Sequence, residues 1–320
     1  MIEAAELRDR LAGLEPIGLH DGATTRLAWT EELAAAEAWF GEQARDAGLT
    51  VERDPAGSLW AVPAADGRWW ATGSHVDSVR SGGRYDGALG VAAGFAVASR
   101  APEWLGRLRG FAELHIDQTQ DLERLGEPAG AVSAMAARMR LAVTLTGRAD
   151  HAGTTRRDER ADALHAAARL ILAADELAGA DRDFLVTATR ILAEPNAFTT
   201  VPGRVRLWID ARTPDGARLA AWRDELAAHA ETLGVECAIA VASRSPALRF
   251  DDTVRDALGP LPQLVSFAGH DAGILGEKLP AGMVFVRNPT GISHAPEEAV
   301  ALEDAAVAAT ALQRALEALT

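Results

Sequence analysis

The stretch Gly73 to Gly90, GSHVDSVRSGGRYDGALG, decides how this chain is read. It begins where the apolar run RWWAT ends, and it leads into the small-residue run VAAGFAVASRA. A short apolar strand, a glycine loop and a helix in that order make a βα unit. Open α/β sheets carry their functional sites at the carboxyl ends of such strands. Two residues of metal-binding type, His75 and Asp86, stand in this loop. A metal-bound histidine usually gives its other ring proton to an acceptor, and Asp77 is placed two residues on to take it. Asp86 stands at the helix start, where the partial positive charge favours a carboxylate. Gly82, Gly83, Gly87 and Gly90 let the backbone bend tightly around an ion. On these residues alone, a glycine-rich turn with an ordinary surface histidine is an equally good reading.

Outward from this loop the pattern is that of an α/β protein. Helical spacing over Glu31 to Gly48 precedes three strand-like runs, LTVERD, SLWAVPA and RWWATGSH, and the strand GFAELHID follows the helix. The middle of the chain changes character. MRLAVTLTGRAD, a long alanine-rich helix, DFLVTATRILAE, RVRLWIDART, a second helix and VECAIAVAS run strand-helix-strand-strand-helix-strand. That order suits an α+β sandwich of ferredoxin-like type. The expected architecture is a mixed-sheet α/β domain, residues 1–133 and 246–320, interrupted by a smaller α+β domain at 134–245.

Composition narrows the function. A net charge of -14 argues against a nucleic-acid surface, which needs a basic stripe. The single cysteine, Cys237, excludes internal disulfides and cysteine-rich zinc sites, and its apolar setting makes it a structural thiol. No run is apolar for long enough to span a membrane, and the first residues lack the pattern of a secretory leader, so a cytoplasmic protein is expected.

The other histidines fall into groups. His115 ends the strand FAELHID, with Asp117 and Gln118 beside it, and His294 precedes Pro296 and two glutamates that read as a helix start. Either alone is more often structural, but several such residues at strand or loop mouths strengthen the joint case. Mixed imidazole and carboxylate ligation points to Zn, Mn, Co or Ni rather than Ca or Mg. His151 in DHAGTT and His270 in AGHDAG sit in glycine loops, a setting for side chains that face a substrate. His165 and His229 lie in helical runs and read as structural.

Taken together, GATTRLAWTEE, GSHVDSVRSGGRYDGALGV, ELHIDQ, GRADHAGTT, PNAFTTVPGRVRLWIDAR, AGHDAG and GISHAPEE make the chain resemble the M20 metallopeptidase family. The resemblance is to its amidohydrolase branch, which acts on allantoate, N-carbamoyl-L-amino acids and ureidopropionate. It implies an aminopeptidase-like catalytic domain with an inserted dimerisation or lid domain. It further implies one or two divalent transition-metal ions per chain, a small carboxylate-bearing substrate and a homodimer formed through the lid. His75, Asp86 and His115 would hold one ion, and Asp86 would bridge to a second near His294. Asp77 would support His75, and His151 would polarise the scissile carbonyl. Asn196 and Arg212 would bind the substrate carboxylate, with Gln118 and His270 lining the pocket.

The sequence departs from the family's pattern at one place. The family carries several dozen more residues between this aspartate and the next histidine ligand, including a Glu-Glu pair that supplies the general base and a metal ligand. Between Asp86 and His115 this chain has no such pair. Asp117, Glu113 and Glu103 are the nearest substitute acids, and Trp104, Leu105 and Leu108 the nearest residues to fill the space of a lost strand. Two readings follow: a hydrolase of linear amides or ureides, and a non-catalytic relative that binds a small carboxylate.

Overall fold

The computed structural model describes residues 2–64, 67–98 and 107–319; Glu103, Trp104 and Leu105 lie outside them. The chain divides into two compact units, Met1–Ala134 with Arg249–Thr320, and Met135–Leu248.

The first unit opens with α1 (Ala4–Leu14), the short strands β1 (Leu19–His20) and β2 (Ala23–Thr24), and α2 (Glu31–Asp46). Thr30 caps α2 by accepting from the Leu33 amide at 3.3 Å, and the acids Glu31 and Glu32 fill its first turn. That position accounts for this acid pair by helix electrostatics. Then come β3 (Thr50–Arg53), β4 (Leu59–Val62), β5 (Arg68–Gly73), α3 (Ala88–Ala98), β6 (Arg107–Ile116), α4 (Asp121–Leu125) and β7 (Ala129–Met135).

The second unit holds β8 (Ala137–Thr146), β9 (Asp150–His151), α5 (Ala163–Ala178), β10 (Leu185–Glu194), β11 (Thr200–Val201), β12 (Arg204–Thr213), α6 (Gly216–Ala230) and β13 (Glu236–Ser245). Its main strands form one antiparallel sheet in the order β10-β12-β8-β13. A βαββαβ order with this pairing is the ferredoxin-like arrangement. Alternating residues of β8, among them Leu141, Val143 and Leu145, pack against Ala166, Leu170, Trp222 and Leu226 of the two helices. Cys237 is half-buried against this core, and burial pushes its thiol up, away from the reactive thiolate.

The chain returns to the first unit through β14 (Leu248–Arg249), α7 (Asp252–Ala257), β15 (Gln263–Ser266), α8 (Asp271–Gly276), β16 (Ala281–Val286) and α9 (Leu302–Leu319). The central sheet runs β14-β7-β16-β6-β5, with β15 paired to β7. Strands β5, β6 and β16 are parallel, and β7 is antiparallel to β16. This mixed sheet packs on α3, whose Ala92, Ala93 and Ala96 are wholly buried, and on α1 and α9 through Leu7, Leu11, Leu312 and Leu316. Small residues along α3 let the helix lie close to the sheet. The expected helix immediately after His294 is absent. The Glu298 amide closes a turn on the Ala295 carbonyl at 3.1 Å, and regular helix starts only at Leu302.

Candidate metal centre

The parallel register of β5 and β6 sets Gly73 opposite Glu113. Two residues further along each strand, His75 and His115 therefore emerge side by side, with ring centres 5.7 Å apart. The loop after β5 returns Asp86 to the same place. Gly87 makes this approach possible: its φ is 67°, and a side-chain carbon there would lie 2.5 Å from the His75 ring. From the far side of β6, the segment after β16 brings in His294. Asn288 holds that segment by donating to the Ile292 carbonyl at 2.9 Å and accepting from Thr290 and Gly291. His294 sits at φ 58°, a left-handed conformation that is uncommon for a residue with a side chain.

Asp86 is the hub. Its Oδ1 lies 3.4 Å from His115 Nε2 and 3.9 Å from His75 Nε2, while Oδ2 lies 3.8 Å from His294 Nε2. Gln118 donates its amide to Oδ1 at 3.2 Å. The other ring nitrogens fix the tautomers. His115 Nδ1 meets the Ile116 carbonyl at 3.0 Å, and His75 Nδ1 meets the Asp77 carbonyl at 3.1 Å and its carboxylate at 3.4 Å. Both Nδ1 atoms must donate there, so both Nε2 atoms face the carboxylate. Without a metal, a proton on His75 Nε2 faces Asp86; a bound ion would take the place of that proton and use both lone pairs. Ligand atoms about 2.0–2.1 Å from one tetrahedral ion stand roughly 3.3–3.5 Å apart, close to the spacing found. The ligand atoms of His75, Asp86 and His115 all lie within 4.8 Å of one another, so the donor set fits a divalent ion.

Electrostatics agree with this reading. Burial alone would lower His75, but its hydrogen bond to Asp77 and the charge of Asp86 push it up to about 9 in the metal-free protein. His115 is held down at about 4 by burial and by the charge of His75. The pair therefore carries one positive charge where a metal would supply two.

Behind the cluster lies a second group, Glu113, His115 and His270, all buried. His270 packs 4.5 Å from the His115 ring, and its Nε2 meets Ser266 Oγ at 2.8 Å. Its Nδ1 is buried with no hydrogen-bond partner among the described residues, and the side chain is 6% exposed. Glu113 accepts from Ser74 Oγ at 2.7 Å and from the Ala272 amide at 2.8 Å, and burial followed by the charge of Asp271 raises it to about 8. Asp117 accepts from the Thr119 amide and hydroxyl and from the Leu122 amide, which ties it to the start of α4. The two substitute acids among the described residues, Glu113 and Asp117, are thus engaged in structural bonds. Glu298, for which the sequence pattern suggests only a helix start, is 2% exposed and lies beside Ser293, the His294 amide and Asp86. A side chain on Gly83 would strike Glu298. The glycine pair at 82–83 was the only sequence signal of that burial.

The remaining expected residues belong to the second unit. His151 is exposed on β9, and its Nδ1 accepts from the Gly153 and Thr154 amides at 3.0 and 3.1 Å, which leaves Nε2 as a donor. Asn196 is exposed and follows the cis Glu194–Pro195 bond. Arg212 on β12 is held by Asp210, with Nε to Oδ1 at 2.6 Å and Nη2 to Oδ2 at 3.2 Å. The expected carboxylate binder is therefore engaged by a carboxylate of its own strand.

A mixed α/β sheet that carries a histidine–aspartate cluster at its strand ends, in a chain with a ferredoxin-like insertion, defines a metal-dependent hydrolase class. The sequence pattern of Peptidase family M20/M25/M40 matches residues 81–318, and the chain belongs to that family. It is 30% identical to an N-carbamoyl-L-amino acid amidohydrolase of Geobacillus stearothermophilus, over 98% of this chain and 97% of that protein. It is 27% identical to an allantoate amidohydrolase of Bacillus subtilis, over 87% of this chain and 88% of that one. The crystal structure of a hydantoinase/carbamoylase family amidase from Burkholderia vietnamiensis superposes with a TM-score of 0.88 at 26% identity, covering 99% of this chain and 97% of the other. No described helix is long and apolar enough to cross a membrane.

Proposed function

We propose that this chain is a metal-dependent amidohydrolase acting on a linear amide or ureide that bears a carboxylate. One observation carries the reading: a buried aspartate receives His75 and His115 on one oxygen and His294 on the other. When bound there, a divalent ion (Zn, Mn, Co or Ni) makes water a nucleophile near neutral pH and polarises a carbonyl. His75, Asp86 and His115 would hold one ion, and His294 beside Asp86 would offer a donor for a second. Asp77 keeps the His75 lone pair turned inward, and Gln118 steadies Asp86. His151 offers its Nε2 proton to the oxygen of the scissile carbonyl, where negative charge grows as water adds and before the C–N bond breaks. Asn196 and Arg212 bind the substrate carboxylate, with Arg212 exchanging Asp210 for it. Residues 134–245 act as the lid and as the surface of a homodimer. The exposed Leu185 and Ile191 on β10 and Val241 on β13 support pairing there.

The proton acceptor is the weak point. The match to the Geobacillus enzyme extends over 400 aligned positions, more than the 320 residues of this chain can fill. This supports residues missing relative to that enzyme, and we place the loss, with the family's Glu-Glu pair, between Asp86 and His115. General base catalysis typically contributes about 10²–10⁴-fold, and turnover is expected to fall short of the family's by that order.

The test is turnover of N-carbamoyl amino acids and allantoate by purified protein with Mn or Zn, together with metal analysis. Two bound ions and product formation support the enzyme. No product above the metal-only background removes it, and thermal stabilisation by these ligands without product establishes the non-catalytic binder instead.

A further inference from the structure

Beside the metal centre the central sheet has an open edge. Among the described residues, β5 pairs with β6 on one side and with no strand on the other, and β4 pairs only with β3. Strands β4 and β5 instead face a shared cavity of about 530 Å³. Helix α2 contributes Phe40 to its wall, α3 contributes Phe95, β4 and β5 contribute Trp60 and Trp69, and Leu108 and Ile274 complete the apolar lining. The volume is that of a small-molecule site, and such sites are mostly apolar with few polar groups. Two acids of the wall are already engaged: Asp54 takes the Trp60 indole N–H at 2.9 Å, and Glu37 takes Arg53 at 2.7 Å. The same wall continues to Ser74, His75 and Asp77 at the carboxyl end of β5. An apolar chamber thus runs along the edge of β5 and reaches His75 on its Asp77 side, next to the cluster of His75, Asp86 and His115.

We infer that this chamber is the subsite for an extended apolar or aromatic group of the substrate. The chain then prefers amides and ureides that carry such a group over those that carry none. This rests on the hydrolase reading and adds a substrate class to it. The group lies along β5, and its carbonyl end stays beside His75. Each methylene buried there contributes about a fourfold gain in kcat/KM.

Gly94 of α3 lines the chamber, and a side-chain carbon there meets Thr72 at only 3.6 Å, ordinary contact. The first side-chain carbon of Gly94→Leu is therefore tolerated, and the rest of the side chain narrows the chamber between α3 and β5. The experiment compares kcat/KM of the metal-loaded protein for N-carbamoyl derivatives of glycine, valine, phenylalanine and 2-aminooctanoate. Binding of free 2-aminooctanoate and glycine is measured by calorimetry in parallel. The expected result is a rise of at least 100-fold from glycine to 2-aminooctanoate. Gly94→Leu cuts that ratio at least tenfold, and Trp60→Ala, which widens the chamber, shifts preference toward the bulkier member. Metal content is measured in each variant. Equal kcat/KM across the series, or a ratio unmoved by both variants, overturns the inference while leaving the hydrolase reading standing. Failure to cleave any member overturns the hydrolase reading; the calorimetric comparison then still decides the chamber. An extended apolar tripeptide that binds more tightly than 2-aminooctanoate overturns it in favour of strand addition at the open edge.

Discussion

Two aspartates in this molecule are surrounded by nitrogen, and only one of them is complete. Asp210, in the sheet of the second unit, receives Arg140 at 2.8 Å and Arg212 at 2.6 Å. Burial alone would raise it, but these two guanidiniums hold its carboxyl below the ordinary range. Its charge is balanced within the protein. Asp86 is more deeply buried, yet its neighbours are imidazole nitrogens of the kind that bind metals, with one amide from Gln118. Without a metal its only cationic neighbour is the proton-bearing His75, a single charge where a divalent ion would bring two. A buried carboxylate with a finished complement is architecture, whereas one faced by oriented imidazole nitrogens is a binding site for a cation.

The largest break of this comparison is Asp86→Asn. It removes the charge while keeping the size, so bound metal should disappear by elemental analysis. Turnover should fall on the order of 10³-fold, because the ion supplies several kcal/mol of transition-state stabilisation. Full metal content in that variant would show that the histidines bind without the aspartate. Asp77→Ala is milder. It leaves the donor set and the backbone carbonyl that holds His75 Nδ1 at 3.1 Å, and removes only the carboxylate at 3.4 Å, so the expected loss is about 10-fold in metal affinity by competitive chelation.

Much of this was legible in the sequence, and the misses have physical causes. The strand–loop–helix order around His75 and the alternation in MRLAVTLT gave both sheets, because period-two patterning and glycine breaks are local signals. Convergence of His75, Asp86 and His115 followed from the rule about strand ends, but the Gly73–Glu113 register that sets them side by side is a tertiary fact. Arg212 shows the opposite case. Residues 210 and 212 share one face of β12, so the pairing was open to a period-two reading that looked only for a substrate partner. The turn after His294 was read as a helix start because acids after proline favour one. Burial of Glu298 against Gly83 instead draws that segment inward.

Glu298 sharpens the comparison through pH. Burial, then repulsion from Asp86, raises it to about 7, well above its value in an unfolded chain. A carboxyl raised by folding is neutral and harmless at low pH, and it destabilises once it must ionise. The metal-free protein should therefore lose stability as pH rises from about 4.5 through 7. Glu298→Gln should remove most of that slope and gain about 1–3 kcal/mol at pH 8, with little change at pH 4.5, in thermal melts read at both values. A slope that survives the substitution would move its origin to another group.

The smallest effect is expected at the completed aspartate. Asp210→Asn takes this carboxylate from Arg140 and Arg212, but both arginines keep some access to water. Partly exposed pairs of this kind are worth up to about 1 kcal/mol, so the melting temperature should drop by only a few degrees. Because Asp210 is held below its ordinary value, its contribution is present above about pH 4 and vanishes as pH falls through the folded-state value. Wild type and variant should therefore differ at pH 7 and converge as the folded-state carboxylate becomes protonated in acid. Metal content should not change, since the charge removed belongs to a complement that was already full. If the variant instead lost metal, the two aspartates would be coupled, and the distinction between a structural carboxylate and a cation-seeking one would fail for this molecule.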